Sequence, residues 1–403
     1  MTAAEGWRRN LAALWFAQFT AVLGFSFAFP FLPLYLRELG VTRPSELALW
    51  TGLTGGASGA AVAVMGPIWG AVADRYGRKP MVVRAMVGAA IAVSLMGFAR
   101  GPVDLLVLRL VLGATSGTVS AATALVATGT PRGHVGWALG VLTSAVAAGS
   151  ALGPLIGGLA ASALGVRAVF WAGGALLAAA VLPVLLVVRE VAPPAVANGR
   201  RRPALQFLQA AAPGTLAAVG TLIACQALVQ SSFIGFQPLV VLRLLGRPSA
   251  GAAAGTAAVT GLAFGASGLF SALSSATYSR LARRHGYRTV ALGAALLMAA
   301  AELLTGYAPT LAAIVTGTAL AGAFYGAIGP AVSSMIGLET PAEVQARVFG
   351  LSSSATAVGF ALGPFSAGVL AARLGSSGAI AVCAAVALAL AGVLAFRARE
   401  PSR

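Results

Sequence analysis

Gly140 to Gly158 reads GVLTSAVAAGSALGPLIGG, and this stretch decides the fold. Gly149, Gly153 and Gly157 recur at i+4, which on a helix makes a stripe of small residues along which a second helix backbone can approach closely. Pro154 lies within the stripe. It removes one backbone N–H and frees the Ser150 carbonyl, which costs about 3 kcal/mol in a soluble helix and is tolerated in a membrane where neighbouring helices re-satisfy the backbone. The pattern returns: Gly350, Gly359, Gly363, Pro364 and Gly368 repeat Gly140, Gly149, Gly153, Pro154 and Gly158 at a constant offset of 210. The chain is read as a duplicated array of membrane helices.

Composition agrees. Hydrophobic residues make up 58% of the 403 residues and charged residues 9%, against roughly a quarter charged in soluble domains. Charged, Pro-rich and Gly-rich breaks leave twelve apolar segments, near 11–36, 48–72, 80–99, 103–127, 135–162, 167–188, 211–242, 252–278, 289–306, 309–336, 347–372 and 377–396. Each can cross about 30 Å of hydrocarbon. The first segment is too long for the apolar core of a removed signal peptide and lacks a small-residue cleavage site, so none is expected. The expected fold class is an all-α membrane protein of twelve transmembrane helices in two pseudo-symmetric six-helix bundles, 1–188 and 210–403. The stretch 189–209, with Pro193, Pro194 and Gly199, reads as a cytoplasmic linker.

The net charge of +17 is distributed by topology. With the N-terminus inside, the inner loops and termini hold 19 of the 27 basic residues, the outer loops hold seven, and Arg109 is left within a helix. This is the positive-inside bias, and it places both termini in the cytoplasm. A nucleic-acid surface would instead be contiguous and interleaved with exposed aromatics, so no nucleic-acid partner is read. Cys225 and Cys383 lie in apolar segments and read as buried thiols. His134 and His285 fall in loops, and no His, Cys, Asp or Glu cluster has ligand or nucleophile spacing. No catalytic residue, metal site or cofactor is therefore expected.

In the first segment Gln18, Phe25 and Phe29 share one helical face, ahead of Pro30 and Pro33. In the seventh, Gln226, Gln230, Phe233 and Gln237 do the same. FLPLYLRELGVTRPS at Phe31–Ser45 returns as FQPLVVLRLLGRPS at Phe236–Ser249, which predicts matching broken helices with a binding site between the halves. These amides read either as cavity lining or as hydrogen-bonded glue between helices. Arg109 is about six residues, or roughly 9 Å, from the outer end of its helix, and reads as facing the interior or as snorkelling outward. No acid lies in the first helix to neutralise it. Main-chain oxygen or Ser26 beside the Pro30 break is the predicted acceptor, since Pro30 lacks the N–H that would bond the Ser26 carbonyl. Glu302 reads as an interfacial acid near the outer end of the ninth segment, and Asp104 as a surface partner of Arg100.

The turn Gly70-Ala-Val-Ala-Asp74-Arg75-Tyr-Gly77-Arg78-Lys79 sets one acid among cations. Asp74 reads as a solvated partner of Arg75 or Arg78, or as a latch capping a neighbouring helix N-terminus. The second half carries Arg283 there, so a carboxylate latch is expected on one side only.

In these motifs the chain resembles the major facilitator superfamily. Gly70 to Lys79 is similar to the family's loop between helices 2 and 3, Arg109 with Gly113 and Gly117 resembles its helix 4 motif, and Gly140 to Gly158 resembles the helix 5 signature of the drug/proton antiporter branch. The resemblance spans essentially the whole chain. It implies a monomeric exporter in the bacterial plasma membrane, with a small amphipathic substrate, protons and the lipid bilayer as partners. By the same resemblance Gly70, Asp74, Arg75, Gly77, Arg78 and Lys79 serve in gating. Gly140, Gly149, Gly153, Pro154, Gly157, Gly158, Gly359, Gly363 and Pro364 serve as hinge, and Arg109 takes part in proton relay. Export of another solute, such as a sugar or siderophore, remains open on the same scaffold. Many members of this branch carry a carboxylate in helix 1 or elsewhere in the central cavity, and this chain shows none there.

Overall fold

The computed structural model describes residues 3–190, 213–247, 253–340 and 344–400. Side chains of 3–5, 74, 213–216, 253, 346 and 347 lie outside the description, as does all but Arg189 and Glu190 of the expected linker. The described residues are helical, with no strand: α1 Ala3–Ala28, α2 Leu32–Glu38, α3 Pro44–Tyr76, α4 Arg78–Met96, α5 Pro102–Thr115, α6 Thr118–Gly129, α7 Val135–Leu164, α8 Val166–Leu186, α9 Pro213–Leu245, α10 Ala253–His285, α11 Tyr287–Tyr307, α12 Leu311–Glu339 and α13 Gln345–Phe396. Eleven stretches among them are long and apolar enough to cross a membrane.

Single glycines make several of the connections. Gly77, Gly165 and Gly286, between α3 and α4, α7 and α8, and α10 and α11, have φ of 95°, 83° and 90° with ψ of 165°, 161° and 151°. Only glycine occupies this region routinely. Gly375 has φ 73° and ψ 170° inside α13, so the 52-residue helix is interrupted there. Gly375 stands 210 positions after Gly165 and Gly286 stands 209 after Gly77, so the turns repeat with the sequence.

Two of the expected helices differ. The segment near 103–127 is two helices, because Ser116 is extended (ψ 173°) and Gly117 sits at φ 123°. The predicted pair of broken helices is one: Phe29–Phe31 tightens to a 3-10 turn between α1 and α2, while α9 runs on through Pro238. Two prolines three apart remove two N–H donors from one turn, whereas a lone proline removes one, and a membrane helix absorbs that.

By contact the chain forms two units, one of Met1–Val41, Ala60–Asn198 and Gly251–Gly265, the other of Thr42–Gly59, Gly199–Ala250 and Ala266–Arg403. In the first, the Gly149, Gly153 and Gly157 stripe of α7 lies on the α1 backbone. A Cβ at Gly149 would sit 2.9 Å from the Phe19 carbonyl, and one at Gly153 2.6 Å from Ser26 Cβ, while Gly157 abuts Phe27. In the second, a Cβ at Gly359 would sit 2.6 Å from the Ala227 carbonyl of α9. Gly158 packs on Gly261 of the first unit's part of α10, a Cβ there meeting its Cα at 2.6 Å. Gly368 packs on Gly52 of the second unit's part of α3, with the same contact at 2.5 Å. Partners shift by 208 or 209 positions where the glycines shift by 210, so the internal repeat extends to individual contacts. Gly140 and Gly70 face open space.

Candidate functional site

Each unit holds a cluster of polar and aromatic side chains at the positions read from the sequence. In the first, Gln18 is 0% exposed and its Nε2 donates to the Thr118 carbonyl at 2.8 Å, tying α1 to the start of α6. Phe25 and Phe29 stack one turn apart, with centroids 5.8 Å apart and planes at 23°. Arg109 of α5 is 2% exposed, and its guanidinium carbon lies 4.9 Å from the Phe29 centroid. The cation thus packs over an aromatic face beside the Pro30 break and does not snorkel.

In the second unit, Gln226 donates to Ser333 Oγ at 3.3 Å, and Gln230 Oε1 accepts from the Tyr325 hydroxyl at 2.9 Å. Phe233 stacks on Tyr325 with centroids 4.0 Å apart and planes at 10°. Gln237, one turn further along α9, is half-buried. Tyr325 and Ser333 of α12 were not singled out from sequence. The nearby Gly322 and Gly326 pack on Ser267 and Ser271 of α10, so they mark a different face and give no signal for Tyr325 or Ser333.

At the turns, the Asp74 side chain lies outside the described residues, and two other acids cap helix starts. Glu190 accepts from the main-chain N–H groups of Arg78 (2.6 Å) and Lys79 (3.0 Å), the first donors of α4. Glu400 accepts from those of Tyr287 (2.7 Å) and Arg288 (2.8 Å), the first donors of α11. A carboxylate therefore caps a helix start in both halves, whereas the one-sided latch expected of Asp74 falls on a side chain outside the described residues. Unpaired N–H groups and the positive end of the helix dipole explain the choice of an acid. Arg78 adds bonds to the Ala124 carbonyl (2.9 Å) and Thr128 Oγ1 (2.6 Å), and Lys79 donates to the Leu185 carbonyl (3.1 Å). Arg75 lies over the Tyr76 ring at 5.4 Å.

Of two further acids, Asp104 is an exposed partner of Arg100 as expected, accepting from its main-chain N–H at 2.9 Å. Glu302 is 0% exposed, not interfacial: helices on either side cover it although it lies only five residues from the end of α11.

The first unit also has an open surface groove of about 680 Å³ lined by Trp7, Arg8, Leu11, Trp15, Phe16, His134 and Trp137. Trp15 stacks on Phe19 (5.4 Å, 11°) and donates to Ser144 Oγ at 3.0 Å. No group of three or more His, Cys, Asp or Glu is placed to hold a metal among the described residues.

The family model described as Major Facilitator Superfamily matches residues 14–255 and 219–403. The chain belongs to the Major Facilitator Superfamily. Among superfamily relatives, it is 32% identical over 382 residues to the multidrug resistance protein MdtG of Enterobacter lignolyticus, covering 95% of this chain and 90% of the relative. It is 31% identical over 402 residues to MdtG of Escherichia coli K12, covering 97% and 93%. Solved transporter structures share the fold. Human MFSD10, an organic anion transporter, superposes with TM-score 0.68 at 21% identity over 96% of this chain and 99% of its own, and the nucleoside transporter NupG with 0.74 at 14% over 97% and 100%. The chain is thus an integral multi-pass membrane transporter, and its relatives and fold neighbours are transporters rather than enzymes.

Proposed function

We propose that this transporter exports small amphipathic compounds in exchange for protons, as a monomer in the bacterial inner membrane, by alternating access. The observation that carries the reading is similarity over nearly the full length to proteins named for multidrug resistance. The clusters support it. Amides and aromatic rings with few charges suit weakly polar or monocationic compounds better than sugars, which need dense hydrogen-bonding sets.

The topology proposed is twelve spans with both termini cytoplasmic, grouped as six-helix bundles 1–188 and 210–403 around the linker 189–209. The interruption at Gly375 supports separate eleventh and twelfth spans, since its backbone resembles that of Gly165, where α7 gives way to α8. The inner-loop excess of Lys and Arg supports the orientation. In this reading Gly70, Asp74, Arg75, Gly77, Arg78 and Lys79 gate the cytoplasmic side. Rocking uses the glycine contacts of α7 and α13 as its bearing surfaces.

Inverted vesicles containing the protein, given radiolabelled tetraphenylphosphonium with and without an acid-inside pH gradient, test the proposal. Accumulation should require both the protein and the gradient. Accumulation that ignores the gradient removes the proton, and accumulation of a labelled sugar instead removes the drug.

A further inference from the structure

Glu302 of α11 is joined to two other helices through one hydroxyl. Ser232 Oγ of α9 lies 3.0 and 3.2 Å from the two carboxyl oxygens and 2.9 Å from the Cys383 carbonyl of α13. Glu302 is 0% exposed and Ser232 1%. A serine hydroxyl carries one proton, and a main-chain carbonyl only accepts. If Ser232 donates to Cys383, the contact with Glu302 needs a proton from the carboxyl group. The neutral acid satisfies the whole chain: Glu302 O–H donates to Ser232 Oγ, whose O–H donates to the Cys383 carbonyl. Removing the proton turns the hydroxyl to the carboxylate and breaks its bond to α13.

Among the described residues no cation compensates a bare carboxylate there, and the ion pair found, Arg43–Glu46, is elsewhere. The packed elements α9, α12 and α13 offer few other ionisable groups. The Cys383 thiol lies close enough to feel the charge, whereas Tyr325 is committed to Gln230 and Arg243 reaches the Ala308 carbonyl. Arg373 and, on α11 itself, Tyr307 are exposed. Cys225 is two turns away along α9.

The first half has no such group. A Cβ at Gly24 would meet the Gly173 carbonyl at 2.7 Å, the counterpart of Ser232 against Cys383, and Val93 occupies the place of Glu302, 3.6 Å from a Cβ at Gly173. The polar triad is an asymmetry set into a duplicated frame. It also adjoins the cluster of the second unit, since Ser232 precedes Phe233, the ring stacked on Tyr325.

We propose that Glu302 is a reversible proton-binding site, neutral in the arrangement seen, whose deprotonation is passed through Ser232 to the Gln230, Phe233 and Tyr325 cluster on α9 and α12. The proton is taken up from water at the outer end of α11, about 7.5 Å of helix rise away, and is released on the cytoplasmic side in the other access state. The inference rests on proton-coupled export and names the residue that carries the proton.

Its test uses the full chain in nanodiscs, with tetraphenylphosphonium as probe. Infrared spectra of the wild type at neutral pH should contain the carbonyl stretch of a buried neutral carboxylic acid that Glu302→Gln lacks. Wild-type affinity for the probe should rise with pH, by up to about tenfold per unit if one proton leaves per probe bound. Glu302→Gln should keep its melting temperature, because the amide donates to Ser232 as the acid does, and its affinity should be flat with pH. Glu302→Asp, ionisable but shorter, should shift the profile. Absence of the infrared band, or equal slopes in wild type and Glu302→Gln, overturns the assignment and leaves proton coupling to another group. A flat wild-type profile overturns proton coupling, and with it any coupling role for Glu302.

Discussion

Glu190 and Glu400, 210 positions apart, make the same pair of bonds: each carboxylate receives the first two main-chain N–H groups of a helix that starts just after a positive-φ glycine. The end of one helix in each half is thereby pinned to the start of another. Replacing either Glu by Ala should cost about 0.5–2 kcal/mol, as loss of a helix cap does. The pairs share no partner, so the double variant should show the sum. Thermal denaturation in detergent checks this, and a double variant no less stable than either single one contradicts independent caps.

Gly153→Leu adds a side chain where a Cβ alone would be 2.6 Å from Ser26 Cβ. Overpacking of about 1–3 kcal/mol is the minimum consequence, with α7 forced away from α1. The protein should insert in the membrane yet fail to export tetraphenylphosphonium. Normal export at normal expression contradicts a bearing role for this contact.

Tyr325→Phe keeps the ring stacked on Phe233 and removes the hydroxyl from Gln230. An amide oxygen losing a buried partner costs about 1–3 kcal/mol in the free protein. A cluster that binds substrate should show altered ranking among exported compounds, as should Gln226→Ala with Gln230→Ala. Lower melting temperature with an unchanged substrate profile assigns these amides to helix packing alone.

Arg109→Lys keeps the charge and loses the planar group that lies over Phe29. An ammonium is a compact, strongly hydrated point charge and does not replace a stacked guanidinium. Transport should fall at least about tenfold, the equivalent of about 1.4 kcal/mol, while the protein stays folded. Wild-type transport by this variant contradicts a role for the stacked fork.

The fold was legible because it is written twice. Glycine and proline spacing at offset 210 marked the duplication, and it reappears in the contacts of Gly158 and Gly368. The cluster on α9 was legible from helical spacing, since Gln226, Gln230 and Phe233 need only one helix to be read. Their partners Tyr325 and Ser333 were not, because α12 is about a hundred residues away and periodicity says nothing of which faces meet. Glu302 was misread for the same reason: distance from a helix end predicts depth, while Ser232 and Cys383, 70 and 81 positions away, decide burial. Asp74 drew notice as an acid among cations, yet Glu190 and Glu400 lie at the far ends of their bundles in sequence, where the local motif is silent.

Exchange of protons for drug is the central claim, and purified protein in liposomes loaded with a pH-sensitive dye tests it most directly. Tetraphenylphosphonium added on one side, with the membrane potential clamped, should drive protons the opposite way only when the protein is present. Movement of the probe through the protein without movement of protons would contradict the account.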